Sequence, residues 1–330
     1  MHRTVRITLL TIIVLLVAAS FVGSYALVNT ALSANHSGRD TEIMKGKWER
    51  HAPGLMQWYD SLHVAGVFRD TLITAPDGVA LHAVYAAAPG VASGPGTDCA
   101  SGTAVLVHGY HDCHLSMMQV ARMYRDSLKF NVLIPDNRFH GLSGGDHVQM
   151  GWFDRLDVKL WLPVSHDIFG DDFTVVHGIS MGGATAMMLS GEPDLPPYVR
   201  AFVDDCGYSD VWEQFKFNLK QKYHLPVFPL LHVGSLICKL RYGWGFREAS
   251  SVDQLRKSTA PVLFIHGHED DFVPTDNVYR CYYAKTEGLR DVWLTPSTLH
   301  GRSSTDNPAM YTARLRSFLG MARRLSELNP

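Results

Sequence analysis

The residues with the clearest chemical meaning form a glycine-rich turn in the middle of the chain. The sequence GISMGG (178–183) follows the apolar run FTVV (173–176) and precedes a stretch of small residues. A Gly-x-Ser-x-Gly pattern between a strand and a helix predicts a tight turn, because glycine allows close backbone approach there. Such a turn exposes the serine hydroxyl at the edge of a sheet. Ser180 is therefore the candidate nucleophile.

A serine nucleophile needs a base that accepts its proton and an acid that orients the base. His300 follows the apolar run DVWLTPS (291–297), and Asp270 follows the run PVLFIHG (261–267). We therefore favour His300 as the base and Asp270 as the acid. Four other acids lie near the same kinds of strand end and remain alternatives to Asp270: Asp204, Asp205, Glu269 and Asp271.

The elements that must position these residues alternate along the chain. Apolar runs typical of strands occur at 67–74, 79–87, 103–107, 131–136, 173–180, 200–206, 261–267 and 291–297. The first two are separated by APDG and predict a hairpin. Helical patterns lie between later runs, near 117–128, 155–164, 275–287 and 311–322. Repeated strand–helix units predict an α/β fold with a mostly parallel sheet and helices on both faces.

The order Ser180, Asp270, His300 resembles the nucleophile–acid–base order of α/β-hydrolases. Residues 67–330 are similar to the serine-aminopeptidase and monoglyceride-lipase-like group, especially its membrane-anchored bacterial members. Asp270 matches the acid in the HGxxDxxVP pattern of that group, here at 266–274. The resemblance implies an α/β-hydrolase domain over 67–330.

The same resemblance implies an oxyanion hole. His108-Gly109-Tyr110 ends the strand TAVLV (103–107) and matches the HG-x loop of the group. The implied donors to the developing oxyanion are the backbone N–H groups of Tyr110 and Met181. We expect a structural role for His108. The loop 136–145 resembles the DxRxHGxSxG loop, which implies that it braces the site from the side.

An insertion at about 208–255 interrupts the alternation between two predicted strands. In this group the position carries a cap over the nucleophile. Trp212, Phe215 and Leu219 share one helical face, and LPVFPLL (225–231) contains two prolines. We expect some of its aromatic residues to line an apolar acyl or aryl pocket and to set substrate choice. The insertion contains nine of them: Tyr208, Trp212, Phe215, Phe217, Tyr223, Phe228, Tyr242, Trp244 and Phe246.

The N-terminal 28 residues predict a membrane anchor or a signal segment. No charge interrupts residues 7–28, and a helix of that length would span the hydrocarbon core of a bilayer. We favour an uncleaved single-pass anchor with the hydrolase domain outside the cytoplasm. The alternative is a cleaved signal and a secreted or periplasmic protein, since Ala31, Ser33 and Ala34 could form a cleavage site. Residues 29–66 are predicted to be a stalk and a packing segment.

Composition excludes several other classes of protein. The chain has 330 residues, with 30 Lys and Arg, 32 Asp and Glu, and 46% hydrophobic residues. This balance gives no electrostatic reason to expect a nucleic-acid partner and does not fit a disordered chain. The five cysteines are scattered without a CxxC pair, although Cys99 and Cys113 could pair in an oxidising compartment.

Two histidine-rich strings, at 108–114 and 266–269, lack the spacing of known zinc signatures. We therefore expect no metal and no cofactor.

The sequence therefore predicts a serine hydrolase that cleaves an ester, thioester or amide bond through an acyl-enzyme. A carboxylesterase-like enzyme acting on a small-molecule ester or amide, with an apolar acyl group, is the favoured interpretation. A peptidase of the same fold remains open. The alternative from another class is an inactive binding or scaffold protein on a hydrolase fold, because a fold alone does not establish a function.

Overall fold

The structure is a computed structural model that describes residues 2–33, 39–90 and 101–328. It divides the chain into two units. Unit 1 consists of Met1–Asn35 and Asp210–Ala249, and unit 2 of His36–Ser209 and Ser250–Pro330. Ala34 of the possible cleavage site and Cys99 of the possible disulfide lie outside the described residues.

Unit 2 contains one eight-stranded sheet in the order β1-β2-β4-β3-β5-β6-β7-β8. β2 is antiparallel to both of its neighbours, and all the other pairs are parallel. The predicted hairpin and the mostly parallel sheet are therefore confirmed. The strands are β1 (Arg69–Thr74), β2 (Ala80–Ala86), β3 (Thr103–Val107), β4 (Asn131–Pro135), β5 (Thr174–Ile179), β6 (Val199–Asp205), β7 (Val262–Gly267) and β8 (Arg290–Thr295).

Twelve α-helices occur in the described residues. They are α1 (His2–Leu32), α2 (Thr41–His51), α3 (Leu55–Val64), α4 (Met118–Arg122), α5 (Asp154–Phe169), α6 (Met181–Ser190), α7 (Val211–Gln221), α8 (Leu230–Tyr242), α9 (Ser251–Leu255), α10 (Asp276–Ala284), α11 (Ser303–Asp306) and α12 (Pro308–Leu328). The helix predicted near 117–128 is a composite: a 3₁₀ turn (His114–Met117) precedes α4, and a π-helical turn (Met123–Leu128) follows it.

The alternation of side chains along the strands explains why helices cover both faces of the sheet. Ala104 and Leu106 of β3 belong to one apolar cluster, with residues of α3, α4 and α12. Val105 and Val107 of the same strand belong to the other cluster, with residues of α5, α6 and α10. Both faces of the central strands are therefore buried, and the expectation of helices on both faces is confirmed.

The later part of the segment 29–66, which was predicted to be a stalk and a packing segment, packs extensively in the structure. It forms α2 and α3 of unit 2. Asp40 caps α2 by accepting the backbone N–H groups of Glu42 and Ile43. Met44, Leu55, Met56 and Tyr59 are almost fully buried in the cluster that contains Leu106. These two helices are therefore part of the apolar core of unit 2.

Unit 1 consists of α1, α7 and α8. Among the described residues, α1 is the one helix that is long and apolar enough to cross a membrane, over Thr4–Leu32. Its last part packs on α8, and Ser24 Oγ donates to the backbone oxygen of Leu230 at 2.9 Å. The two ends of the inserted segment lie side by side, since Val211 N donates to Ala249 O at 3.0 Å.

Several aromatic residues of the predicted insertion pack within unit 1 itself. Trp212, Trp244 and Phe246 are at least 95% buried. The rings of Phe215 and Phe246 pack edge-to-face, with their centroids 4.8 Å apart. Phe228 is 73% exposed. The aromatic enrichment of the insertion is thus explained in part by packing inside this unit.

Candidate active site

The turn between β5 and α6 holds Ser180 in a strained backbone conformation. Its φ is 58° and its ψ is −118°, a region that L residues rarely adopt. The turn is possible because Gly178 and Gly182, on either side of the serine, leave no room for a side chain. A Cβ on Gly182 would lie 2.0 Å from the backbone oxygen of Val107, and a Cβ on Gly178 would lie 1.9 Å from Gly182 O. Any residue other than glycine at either position would therefore clash with the backbone.

We expect Gly182→Ala to prevent normal folding or to cost at least about 3 kcal/mol, since the backbone of β3 cannot yield to the added carbon. Urea unfolding followed by circular dichroism would measure the effect. Gly320→Ala in α12 is the matched control, because the nearest atom to its Cβ would be Arg324 Nη1 at 3.8 Å. That variant should gain about 0.5–1 kcal/mol, as alanine favours a helix. Equal stability of the two variants would contradict the prediction.

The structure brings the three predicted residues together at the carboxyl ends of β5, β7 and β8. His300 Nε2 lies 2.8 Å from Ser180 Oγ, and His300 Nδ1 lies 2.7 Å from Asp270 Oδ2. The bond to the carboxylate places a proton on Nδ1 and leaves Nε2 to accept the serine proton. Ser180 is 9% exposed, and the side chain of His300 is 20% exposed. The geometry is that of a nucleophile, a base and an orienting acid.

Asp270 accepts three hydrogen bonds, and a second histidine ring lies close to it. Its Oδ1 accepts the backbone N–H groups of Phe272 and Val273 at 3.0 and 2.8 Å. Its Oδ2 faces His300 and, at 3.4 Å, Nε2 of His266. Burial raises the pKa of Asp270, but the bonds from His266 and His300 outweigh burial and lower the pKa to about 2. The carboxylate is therefore ionised throughout the neutral range.

His266 is the residue of this site that the sequence analysis missed. It is fully buried, and its Nε2 also lies 2.9 Å from the backbone oxygen of Val273. Burial lowers its pKa, and the neighbouring Asp270 more than compensates, so the pKa of His266 is raised overall. The signal available in the sequence was the place of His266 at the start of the HGxxDxxVP pattern, four residues before Asp270. The sequence analysis treated His266 only as part of the histidine-rich string at 266–269.

The four alternative acids lie elsewhere. Glu269 and Asp271 are exposed, whereas Asp270 is 7% exposed. Asp204 Oδ1 accepts the backbone N–H of Gly207, and Asp205 Oδ2 accepts the hydroxyl of Tyr311. Burial raises the pKa of Asp204 to about 7 and that of Asp205 to about 6. Asp205 supports the turn through its backbone oxygen, which accepts the N–H of Ser180 at 2.8 Å.

Of the two residues predicted to donate to an oxyanion, Met181 directly follows Ser180, and Tyr110 follows Gly109, whose backbone approaches Ser180. Met181 is the first residue of α6, so its N–H belongs to the first turn, which has no acceptors within the helix. Tyr110 follows Gly109, and a Cβ on Gly109 would lie 3.3 Å from the Cβ of Ser180. The loop after β3 therefore touches the candidate nucleophile. Negative charge that develops here is also favoured by the N-terminus of α6.

His108 connects this loop to the loop at 136–145. Its Nε2 accepts the backbone N–H of Asn137 at 2.9 Å, and its Nδ1 donates to Gly109 O at 2.7 Å. Burial lowers the pKa of His108. A neutral imidazole with one donor and one acceptor satisfies both bonds. In the loop itself, Arg138 forms two bonds of 2.7 Å to Asp157.

One cluster of possible metal ligands lies outside this site in the described residues. It contains His82, His114 and Asp136, whose ligand atoms lie within 4.8 Å of one another. Nδ1 of each histidine is hydrogen-bonded to the carboxylate, at 2.8 Å from His82 and 3.0 Å from His114. The carboxylate also accepts the backbone N–H of Leu142. The atoms that would bind an ion, Nδ1 of the two histidines and the carboxylate of Asp136, are therefore already hydrogen-bonded to one another or to the loop at 136–145.

Three comparisons place the chain among known proteins. It is 31% identical over 218 residues to the uncharacterized protein YqkD of Bacillus subtilis, covering 66% of this chain and 70% of that protein. Esterase Pf2001 of Pyrococcus furiosus superposes with a TM-score of 0.59 at 22% identity, covering 77% of this chain and 92% of the esterase. The acylaminoacyl peptidase of Pyrococcus horikoshii superposes with a TM-score of 0.55 at 18% identity, over 78% of this chain and 41% of the peptidase.

The two superpositions show a shared fold, which is the α/β-hydrolase fold predicted from the order of the motifs. The narrower group and its membrane-anchored type stay predictions. The family model of the prolyl oligopeptidases matches residues 149–320, which contain the turn at Ser180 and the strand ends that carry Asp270 and His300. Since this match covers more than half of the 330 residues, the chain belongs to the prolyl oligopeptidase family and is a hydrolase of the α/β fold.

Proposed function

We propose that the protein is a serine hydrolase that cleaves an ester, thioester or amide bond through an acyl-enzyme, with carboxylesters as its main substrates. The observation that carries the proposal is the unbroken series of contacts from Ser180 Oγ through the His300 ring to Asp270 Oδ2, at 2.8 and 2.7 Å. An inactive scaffold has no need to keep a strained serine aligned with a base and an ionised acid.

In the proposed reaction, Ser180 Oγ attacks the substrate carbonyl carbon while His300 Nε2 accepts the hydroxyl proton. The N–H groups of Tyr110 and Met181 donate to the oxygen that becomes negative. His300 then returns the proton to the leaving alcohol, thiol or amine, and the acyl group stays on Ser180. Water repeats the sequence with the same base and releases the acid. Asp270 keeps Nδ1–H oriented throughout.

The choice of ester over peptide bonds rests on two features. The resemblance to the lipase-like group includes the loop at 108–110 and the insertion, which is rich in apolar residues. The esterase of Pyrococcus furiosus is matched over 92% of its length, whereas the acylaminoacyl peptidase is matched over 41%. A peptidase activity is the second candidate, because the family is named for oligopeptidases and a peptidase shares the fold.

A series of p-nitrophenyl esters of increasing acyl length, measured beside aminoacyl p-nitroanilides, tests this choice. We expect kcat/KM to be higher for the esters and to rise from acetyl to medium-length acyl groups, since apolar area buried on binding favours the longer chains. Higher kcat/KM for the anilides would favour the peptidase. No turnover of either series by folded protein, together with no labelling by a fluorophosphonate, would favour the scaffold.

We further propose that α1 is an uncleaved membrane anchor and that the hydrolase unit lies outside the cytoplasm. Support for retention comes from the last turns of α1. Ser24, Val28 and Leu32 are at most 3% exposed, and Ser24 and Val28 lie against Leu230 and Gly234 of α8. Cleavage near residue 34 would remove all three and expose the apolar surface of α8 to water, which is unfavourable.

A further inference from the structure

The inserted segment of unit 1 meets α1 at the depth where a membrane-spanning helix leaves the hydrocarbon core. A span of about 20 residues, or about 30 Å, fills that core. Counted from the first uncharged residue after Arg6, such a span ends near Ala26. The side chains from Ile7 to Val22 are exposed except for half-buried Ser20, as expected for contact with lipid. Contacts to the insertion begin immediately afterwards.

Small residues allow α1 and α8 to approach closely at this depth. Ser24 Oγ donates to the backbone oxygen of Leu230, and a Cβ on Gly23 would lie 3.4 Å from Leu230 Cδ2. One turn farther along both helices, a Cβ on Gly234 would lie 3.4 Å from Val28 Cγ2. The contacts advance by four residues in each helix, so α8 leads away from the bilayer. Its first turn, and the segment that precedes it, are therefore nearest to the lipid.

That preceding segment, Lys220–Phe228, combines exposed cationic, aromatic and aliphatic side chains. Tyr223 is 45% exposed, Leu225 37% and Phe228 73%. Lys220 and Lys222 are also exposed and form no ion pair with any residue that the structure describes. Exposure of large apolar side chains to water is unfavourable. Aromatic rings beside lysines are typical of membrane interfaces.

The charge of the inserted part of unit 1 differs from that of the chain. Residues 210–249 contain six Lys and Arg but three Asp and Glu, and residues 214–247 contain no acid at all. The whole chain has 30 Lys and Arg against 32 Asp and Glu. Two of the six cations are already paired with acids of the same segment, Lys216 with Glu213 and Lys239 with Glu248. The remaining positive charge complements an anionic surface.

We propose that the segment Lys220–Phe228 is a second membrane anchor, which binds the headgroups of anionic phospholipids through Lys220 and Lys222 and inserts Tyr223, Leu225 and Phe228 among the acyl chains. The partner is the surface of an anionic bilayer. The proposal rests on the membrane insertion of α1 and is independent of the proposed reaction. It holds the inserted segment of unit 1 at the bilayer surface, where amphiphilic esters are concentrated.

The test uses the full-length chain in nanodiscs made of brominated phosphatidylcholine, with or without phosphatidylglycerol. A tryptophan is added at one of two exposed positions, as Phe228→Trp or Leu240→Trp. Leu240 is 79% exposed and lies ten residues after Leu230, about 15 Å along α8 and away from the lipid. We expect bromine to quench the tryptophan at 228 several-fold more strongly than that at 240, and phosphatidylglycerol to increase the difference.

The lysines provide the matched control. Lys220→Gln with Lys222→Gln, in the Phe228→Trp chain, should reduce quenching in phosphatidylglycerol discs, and added salt should do the same. Lys129→Gln with Lys257→Gln, which removes equal charge from exposed positions of unit 2, should leave quenching unchanged. Equal quenching at 228 and 240, or no response to phosphatidylglycerol and to the two lysines, would overturn the proposal.

Failure of the underlying membrane insertion has a different signature. A chain that elutes apart from the nanodiscs would contradict the anchoring by α1, and the second anchor with it. A chain that stays with the discs but shows no quenching at 228 would contradict the second anchor alone and leave that surface for a protein partner. Hydrolysis of p-nitrophenyl esters by the same samples reports separately on the proposed reaction.

Discussion

Replacement of Ser180 by alanine is expected to lower kcat on p-nitrophenyl esters by on the order of 10⁴- to 10⁶-fold, because the acyl-enzyme can no longer form. The fold should persist, since the hydroxyl contributes little packing. Residual turnover would come from the oxyanion donors and from substrate binding. A fluorophosphonate probe should label the parent chain and fail to label Ser180→Ala. Circular dichroism and the melting temperature would establish that both chains are folded.

The backbone of the turn should not change when Ser180 is replaced by alanine. Ser180 has a positive φ, which alanine tolerates no better than serine, so the backbone strain is the same in both chains. A loss of activity then reports on the hydroxyl itself. Retention of more than a tenth of the parent kcat by folded Ser180→Ala would contradict its assignment as nucleophile.

The second large effect is expected from the acid. Asp270→Asn should lower kcat by on the order of 10⁴-fold, because an amide nitrogen facing His300 Nδ1 favours the wrong tautomer of the ring. The pKa of Asp270 is about 2, so the parent carboxylate stays ionised from pH 5 to pH 9 and its own titration does not change the parent rate in that range. Steady-state rates at several pH values would measure the loss.

Asp271→Asn is the matched control, since it removes the same charge from the next residue, which is exposed. Its rate should be nearly that of the parent. The reverse ranking of the two variants would move the acid by one residue. His300→Ala should be about as damaging as Ser180→Ala, because the base and the nucleophile act as one unit and their losses are not additive.

The site could be predicted because each of its parts has a local signature. A glycine pattern specifies the turn at Ser180, and the order of short apolar runs places Asp270 and His300 at strand ends. His266 stands in the same pattern as Asp270, but the pattern did not indicate its contact with that carboxylate. Its contact with Asp270 depends on how the chain turns back after β7, where Val273 O lies 2.9 Å from His266 Nε2. Spacing in the sequence could not distinguish this contact from a pair of metal ligands.

The fold class was predicted for a similar reason, and the parts that were missed depend on distant contacts. The burial of the apolar residues of α2 and α3 has no local pattern in the sequence, since most members of the cluster that buries them lie at residue 104 or beyond. Hydropathy predicted a membrane span over residues 7–28, which include the buried Ser24 and Val28. The burial of Ser24 and Val28 depends on residues more than 200 positions later, which composition cannot reveal.

That separation has a consequence for synthesis of the protein. Ser24 and its partner Leu230 are 206 residues apart in the chain. At about 5–20 residues per second, roughly 10–40 s pass between their emergence from the ribosome. During this interval the small-residue face of α1 has no α8 to pack on, and the strands of unit 2 that follow the insertion are still missing. α8 is therefore synthesised shortly before β7 and β8, and both units are completed only late in translation. Slowing of translation after residue 242 should favour correct assembly by giving α8 time to find its partner.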